Sequence, residues 1–266
     1  MLLAEAASLD LSVALEHFAE QGWARLGRAL DDEGAALLCE RADALMMGRI
    51  SYPGLFFQRD TATGRYEDLA FGKGYEGPSL DYRKIEKLEK DPLFLAWIGN
   101  ALFERVARTL VEGDIAIYRA ALFTKPASGG TVLPWHQDGG SYWGLDREPT
   151  LQIWTALDDV PPEAGCLELI PGSHRAGLAT PLGGLIPRAC IDARDADREA
   201  VLVPALRGEC LLVHNHLWHR SGVNRTGRPR RALSICYMSA ATRCLRKKRA
   251  PREFARVFTA PPAARH

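Results

Sequence analysis

The sequence lacks most of the features that would tie it to a large partner or a special compartment. Its 34 lysines and arginines are matched by 33 aspartates and glutamates, so no global field draws it to nucleic acid or to an anionic membrane. No window approaches the run of about 20 apolar residues that a membrane-spanning helix needs. Met1 to Ser8 is mildly apolar but has none of the basic start of a secretory leader. The six cysteines, Cys39, Cys166, Cys190, Cys210, Cys236 and Cys244, are irregularly spaced without a C-x-x-C pair, and they read as reduced thiols of a cytoplasmic protein. Internal repeats and low-complexity tracts are absent too. What remains is a soluble protein whose partner is a small molecule.

Its 266 residues suit one domain, residues 1–266, with a β-barrel or sandwich and added helices. Leu11, Leu15 and Phe18 stand at helical spacing ahead of a stop at Gly22 and a short strand at Trp23 to Leu26. Asp31 or Asp32 caps a second helix that turns Leu37, Leu38, Ala42 and Leu45 to a core and ends near Gly48. Tyr52 to Gly77 mixes glycines with Phe56, Phe57, Tyr66, Phe71 and Tyr75, and reads either as a lid or as a packed surface loop. Lys84 to Lys90 reads as a charged helical turn. Asp91-Pro92 then starts a helix from Leu93 to Leu110, with Leu95, Ile98, Leu102 and Val106 on one side.

After Gly113 the pattern changes. Ile115 to Thr124, Leu151 to Leu157, Cys166 to Ile170, Cys210 to Val213 and Arg231 to Met238 are β-rich runs separated by glycine and proline. Helices followed by strands predict an α+β arrangement, mainly β, in which a helical buttress (mainly 9–110) supports a closed or double-layer sheet core (mainly 113–240). A basic tail (243–266) ends the chain. Its Arg243, Arg246, Lys247, Lys248, Arg249, Arg252 and Arg256 form either a solvated face or a guide for an anionic substrate.

The chemistry centres on Trp135-His136-Gln137-Asp138-Gly139-Gly140. In an extended strand His136 and Asp138 point to one face, placing an imidazole beside a carboxylate. With one distant histidine they would complete the two-histidine, one-carboxylate triad that holds iron(II) and leaves positions open for a co-substrate and oxygen. His174 lies in the turn-rich Pro171-Gly172-Ser173-His174, where a hydrogen-bonding role is expected. His214, His216 and His219 all follow the strand at Cys210 to Val213, and spacing alone does not choose among them.

These motifs occur in a definite order. His136-Gln137-Asp138, Gly165-Cys166-Leu167-Glu168-Leu169-Ile170-Pro171-Gly172-Ser173-His174, His219-Arg220-Ser221-Gly222-Val223-Asn224 and Arg230-Arg231-Ala232-Leu233-Ser234 together resemble the phytanoyl-CoA dioxygenase family of iron(II)- and 2-oxoglutarate-dependent oxygenases. The resemblance implies a double-stranded β-helix, or jelly roll. It makes His136, Asp138 and His219 the iron ligands and Arg230, eleven positions after His219, the anchor of 2-oxoglutarate. A guanidinium suits that task because its planar fork grips a carboxylate with two hydrogen bonds and stays charged. On a strand Arg230, Ala232 and Ser234 share a face, so Ser234 lines the same pocket and Arg231 points away. Lys125 resembles a position that helps bind 2-oxoglutarate, and Trp154, on the same strand face as Gln152, resembles one that walls its pocket.

The implied reaction consumes O2 and 2-oxoglutarate, releases succinate and carbon dioxide, and hydroxylates an unactivated C–H bond of a small molecule. The presence of Asp138 favours this over halogenation, where the carboxylate is lost, while desaturation, ring formation or epoxidation by the same oxidant stays open. Tyr142, Trp143 and the stretch Phe56-Phe57-Gln58 are candidates to meet the substrate, and Asn224 to fix a turn. Two alternatives stand beside this reading: a jelly-roll enzyme using another metal without 2-oxoglutarate, and a non-catalytic ligand-binding module.

Overall fold

The computed structural model describes residues 10–247 and 252–260, so the Met1–Ser8 stretch and Lys248 and Arg249 of the tail lie outside the described residues. The chain opens with α1 (Ser12–Gln21), β1 (Trp23–Arg28) and α2 (Asp32–Met46), followed by β2 (Phe56–Arg59), β3 (Tyr82–Glu86), α3 (Pro92–Ile98) and α4 (Ala101–Leu110). Then come β4 (Ile115–Lys125), β5 (Leu133–Gln137), β6 (Leu151–Ala156), β7 (Leu167–Leu169) and β8 (Gly184–Leu185). Short helices α5 (Arg188–Arg194) and α6 (Ala196–Glu199) precede β9 (Val201–Val203), β10 (Glu209–His214), β11 (His219–Ser221), β12 (Arg230–Ser239) and β13 (Arg256–Phe258).

The strands form two antiparallel sheets. The larger has the order β1-β10-β6-β12-β4-β3-β2, with β13 also on β4, and the smaller runs β8-β5-β11-β7-β9. Together they make the jelly roll that the motifs imply. Period two assigns each residue of the larger sheet to one of two cores. Leu151 and Ile153 of β6, Cys210 and Leu212 of β10, and Leu233 and Ile235 of β12 face outward onto Leu38 and Leu45 of α2, Trp97 of α3 and Phe103 of α4. Their neighbours Trp154, Ala156, Leu211, Val213 and Ala232 face inward onto Leu167, Leu169 and Val203 of the smaller sheet. Each fully buried large apolar side chain contributes roughly 1.5–3 kcal/mol, so the helices hold the large sheet from behind and leave its inner face for a site.

One strand breaks the period. Cys236 of β12 pairs with Arg119 of β4, but Tyr237 pairs with Ile117, leaving Tyr118 as an extra residue in β4. The bulge restarts alternation one position late, so the consecutive Tyr118 and Arg119 both line the cavity between the sheets.

The first part of the chain follows expectation at its turns. Gly22 takes the left-handed φ of 79° that ends α1, and Asp31 Oδ1 accepts from Gly34 N at 2.7 Å to start α2. Three expectations are corrected. Lys84 to Lys90 is not a helical turn, because Tyr82 and Ile85 bury in the core and β3 pairs with β4, leaving only a short 3-10 turn at Leu88–Lys90. The first 110 residues are therefore not only a helical buttress, since β2 and β3 join the expected strand β1 in the larger sheet. The helix expected from Leu93 to Leu110 is two helices: Asn100 Oδ1 accepts from Phe103 N at 3.0 Å while its Nδ2 donates to Trp97 O at 2.6 Å, so one side chain ends α3 and begins α4. As a result Leu95, like Leu37 of α2, is turned to solvent, at 40% and 44% exposure.

Replacing Asn100 by Ala removes both bonds inside a buried corner. Asn100→Ala is expected to lower unfolding stability by roughly 1–2 kcal/mol, seen as a lower urea midpoint at an unchanged m-value.

Candidate metal and co-substrate site

The site begins with one strand pairing. β5 and β11 are neighbours in the smaller sheet, and His136 stands directly opposite His219, with ring centroids 3.9 Å apart. Asp138 follows β5, its N–H donating to Asn215 O at 2.8 Å. The ligand atoms of His136, Asp138 and His219 all lie within 4.8 Å of one another. The tight turn beyond Asp138 needs glycine: Gly140 has a φ of 80°, and a Cβ there would run into the backbone of Leu182 and Gly183.

The other histidines are placed elsewhere. His214 Nδ1 accepts from His216 N at 3.0 Å, and its ring lies 4.8 Å from that of His174. His174 Nε2 lies 3.2 Å from Ala19 O, in keeping with a hydrogen-bonding role.

The donor set fits a divalent cation. His136 Nδ1 lies 3.0 Å from Pro134 O and His219 Nδ1 lies 2.8 Å from Leu217 O. Because a carbonyl only accepts, both Nδ1 atoms carry the proton and both Nε2 atoms present a lone pair. Burial pushes the His136 imidazole down to about 3, helped by the His219 ring beside it, and burial also lowers His219, so both stay neutral as ligation requires. Burial alone would raise the Asp138 carboxyl, but the Arg119 guanidinium, with a hydrogen bond from Gln152, holds it below the usual carboxylate range. Arg119 Nη2 and Gln152 Nε2 both donate to Asp138 Oδ2, at 2.8 and 2.7 Å, which fixes the carboxylate with that oxygen 3.9 Å from His219 Nε2.

Sequence reasoning missed Arg119. The available signal was a lone charge in an apolar strand, and the bulge at Tyr118 spoils the alternation that would have given its direction. Ser234, expected to line the co-substrate pocket, does line the cavity, but its Oγ donates to Gln152 Oε1 at 2.8 Å. It thereby orients the amide that orients Asp138.

A cavity of about 510 Å³ extends from the triad and is lined in part by Arg230, Lys125, Trp154 and Ser234. Arg230 and Lys125 are cross-strand partners on β12 and β4. Burial lowers both, Arg230 to about 10 and Lys125 to about 7, and for Lys125 the positive charges of Arg230 and Arg83 add to the effect. Arg230 donates to the carbonyls of Gly165 and Ala164, and Lys125 Nζ to Thr131 O at 2.8 Å. Neither has a carboxylate partner among the described residues, so this buried cation pair fits an incoming dicarboxylate. Arg231 points away, as parity requires, pairing with Asp158 at 2.9 Å and Asp43 at 3.3 Å. Lys84, hidden by the mistaken helical turn, also lines the cavity, with its Nζ 2.9 Å from Glu86 Oε1.

The Tyr52–Gly77 region divides between its two readings. Phe56, Gln58, Tyr66 and Phe71 line the cavity, whereas Phe57 is buried against Tyr75 and Tyr82. Trp143 is buried at the cavity wall and Tyr142 is more than half exposed at its rim. Asn224 holds a turn through bonds to Pro126 O and Arg228 O.

A jelly roll whose inner face gathers two histidines and one aspartate beside a buried arginine defines the non-haem iron oxygenase architecture. A sequence profile of the phytanoyl-CoA dioxygenase (PhyH) family matches residues 18–232, and the chain belongs to that family. Among curated relatives, the phytanoyl-CoA dioxygenase domain-containing protein 1 of Bos taurus is 31% identical over 159 residues, covering 57% of this chain and 54% of that protein. A methylphosphonate hydroxylase of Gimesia maris is 31% identical over 155 residues, covering 54% of this chain and 57% of that one. The chain thus spans about half the length of the curated relatives it matches. Among solved structures, EctD from S. alaskensis with 2-oxoglutarate and 5-hydroxyectoine superposes with a TM-score of 0.69 at 21% identity, covering 88% of this chain and 77% of that one. The α-ketoglutarate-dependent carbocyclase SnoK gives 0.68 at 20% identity, covering 91% and 89%. At these identities the likeness is one of fold.

Lys125 makes co-substrate binding pH-dependent if it grips a carboxylate. Its free pKa near 7 rises when an anion approaches, so binding above pH 7 must take up a proton. Affinity for 2-oxoglutarate is expected to be roughly fivefold weaker at pH 8 than at pH 7, with proton uptake visible calorimetrically in buffers of different ionisation enthalpy. Lys125→Met should abolish that uptake, and an unchanged uptake would remove Lys125 from the carboxylate's contacts.

Proposed function

We propose that this chain is one iron(II)- and 2-oxoglutarate-dependent dioxygenase domain that hydroxylates an unactivated C–H bond of a small molecule. The observation that carries the reading is the meeting, in one cavity, of three metal-ligand side chains with the buried cross-strand pair Arg230 and Lys125, which makes no ion pair with a carboxylate among the described residues. Bound iron(II) with 2-oxoglutarate supplies oxidative chemistry in which O2 is consumed, succinate and carbon dioxide leave, and C–H becomes C–OH.

This chain's residues do the rest. His136, Asp138 and His219 hold the cation on one side, with carbonyl bonds fixing both imidazoles and Arg119 and Gln152 fixing the carboxylate. Arg230 grips the far carboxylate of 2-oxoglutarate, Lys125 adds a second charge, and Trp154 walls the pocket. Ser234 acts through Gln152. The aromatic side chains at the mouth limit water, which a reaction this oxidising requires.

The excess of basic groups around the cavity favours a substrate that carries negative charge, and the G. maris relative is named for a small anion, methylphosphonate. Among the described residues no helix is long and apolar enough to cross a membrane, and all six cysteines are free thiols, which supports a cytoplasmic setting. Both parts of the chain supply strands to one sheet, which supports a single domain.

The test is anaerobic titration with iron(II) and then 2-oxoglutarate, following the weak visible charge-transfer band of a chelated 2-oxo acid. The band is expected in the parent protein and lost in His136→Ala. Iron binding without the band would sink the oxygenase reading in favour of another metal chemistry or a binding module. Asp138→Ala should nearly abolish succinate formation, while Arg230→Ala should weaken 2-oxoglutarate binding about tenfold or more.

A further inference from the structure

We propose that the cavity contains a second anion position, formed by Arg246 and Arg252 at its mouth, and that the primary substrate carries a carboxylate or phospho group held there. The assignment of this anion to a substrate rests on the oxygenase reading. The anion position itself rests on charge and geometry.

Seven basic side chains line the cavity against two carboxylates, Glu86 and Asp138. Lys84 is paired with Glu86 at 2.9 Å and Arg119 with Asp138 at 2.8 Å. Arg230 and Lys125, with Arg83 near enough to depress the lysine, form an inner group that suits a dicarboxylate co-substrate. Arg246 and Arg252 make no ion pair among the described residues, although the charge of Arg252 reaches the Glu86 and Glu89 carboxyls. Each donates through Nη2 to a carbonyl, of Tyr142 and Tyr118 respectively, which orients the guanidinium and leaves the rest of its fork for a ligand.

The placement of Arg252 relative to the triad is fixed by a stack, while Arg246 lies over the Tyr142 ring at 5.9 Å. The Arg252 guanidinium lies 5.0 Å from the Tyr118 ring centroid, and Tyr118 stacks on Trp143 at 4.1 Å and 15°. Trp143 in turn lies 5.3 Å from the guanidinium of Arg119, which bonds Asp138. Cation–aromatic packing of this kind holds both ends of the ladder in register. The Nε of Arg119 is buried without a partner, so the ladder itself leaves a donor unmet at the cavity.

These arginines are also not on a free tail. Leu245 N donates to Gly144 O at 2.8 Å and Cys244 bridges to Leu145 ahead of Arg252. Beyond it, Ile117 N donates to Ala255 O at 2.9 Å and β13 joins β4. Arg246 and Arg252 therefore sit on separate strap segments, each tied down by a nearby backbone bond, where a solvated basic face would need no such anchoring.

The experiment uses the anaerobic protein loaded with iron(II) and 2-oxoglutarate, and four probes sharing one chain: hexanoate, hexylphosphonate, hexanol and hexylamine. Binding is read by calorimetry. The two anions are expected to bind at least about tenfold more tightly than the alcohol and the amine, and their ratio tells carboxylate from phospho recognition. The double variant Arg246→Gln/Arg252→Gln should lose this preference while its 2-oxoglutarate affinity stays within about twofold. Arg246→Lys/Arg252→Lys, which keeps the charge and guards against a loosened strap, should retain it. Equal affinity for all four probes, or a preference that survives in the glutamine variant, overturns the proposal. If the visible band is absent but the anion preference is present and vanishes in the glutamine variant, the oxygenase reading falls and the anion position stands.

Discussion

Everything at this site depends on the pairing of β5 with β11. A strand of five residues and one of three bring His136 and His219, distant in sequence, to directly opposed positions. Each imidazole is then turned by a carbonyl of its own strand's approach, Pro134 O and Leu217 O, so the same backbone that sets the spacing also sets the tautomer. Asp138 needs only to follow β5 by one residue. The larger sheet supplies what polarises it, because Arg119 and Gln152 converge on one carboxylate oxygen and Ser234, from the strand between theirs, holds the Gln152 amide.

How much of this could be read from the residues varied with how much tertiary context each element needed. Strands β4, β6, β10 and β12 are long apolar runs, and they stand where the sequence predicts them because both faces are covered. The shared face of His136 and Asp138 follows from local geometry alone. Selecting His219 over His214 and His216 did not, since it depends on which of three nearby histidines the small sheet returns to β5. The charged segment Tyr82-Arg83-Lys84-Ile85-Glu86 resembles a surface turn until β4 is beside it. Conversely, the division of α3 from α4 is legible in Gly99-Asn100, a stop followed by a capping residue, although the apolar spacing continues across it and masks the break.

The cavity keeps its two charged regions chemically different. At Arg230 and Lys125 the cations are buried against backbone carbonyls on a rigid strand pair, which suits a ligand that is the same in every turnover. At Arg246 and Arg252 the guanidiniums lean on aromatic rings at the mouth, carried by a strap rather than by the central strands.

The bulge in β4 gives this division a simple origin. Because Tyr118 is a supernumerary residue, the pairing of β4 with β12 is regular on both sides of it, and removing it would leave Arg119, Phe123 and Lys125 on the faces they already occupy. The aromatic that supports Trp143 and Arg252 can thus be gained or lost as a single-codon insertion that leaves the metal and co-substrate positions in frame.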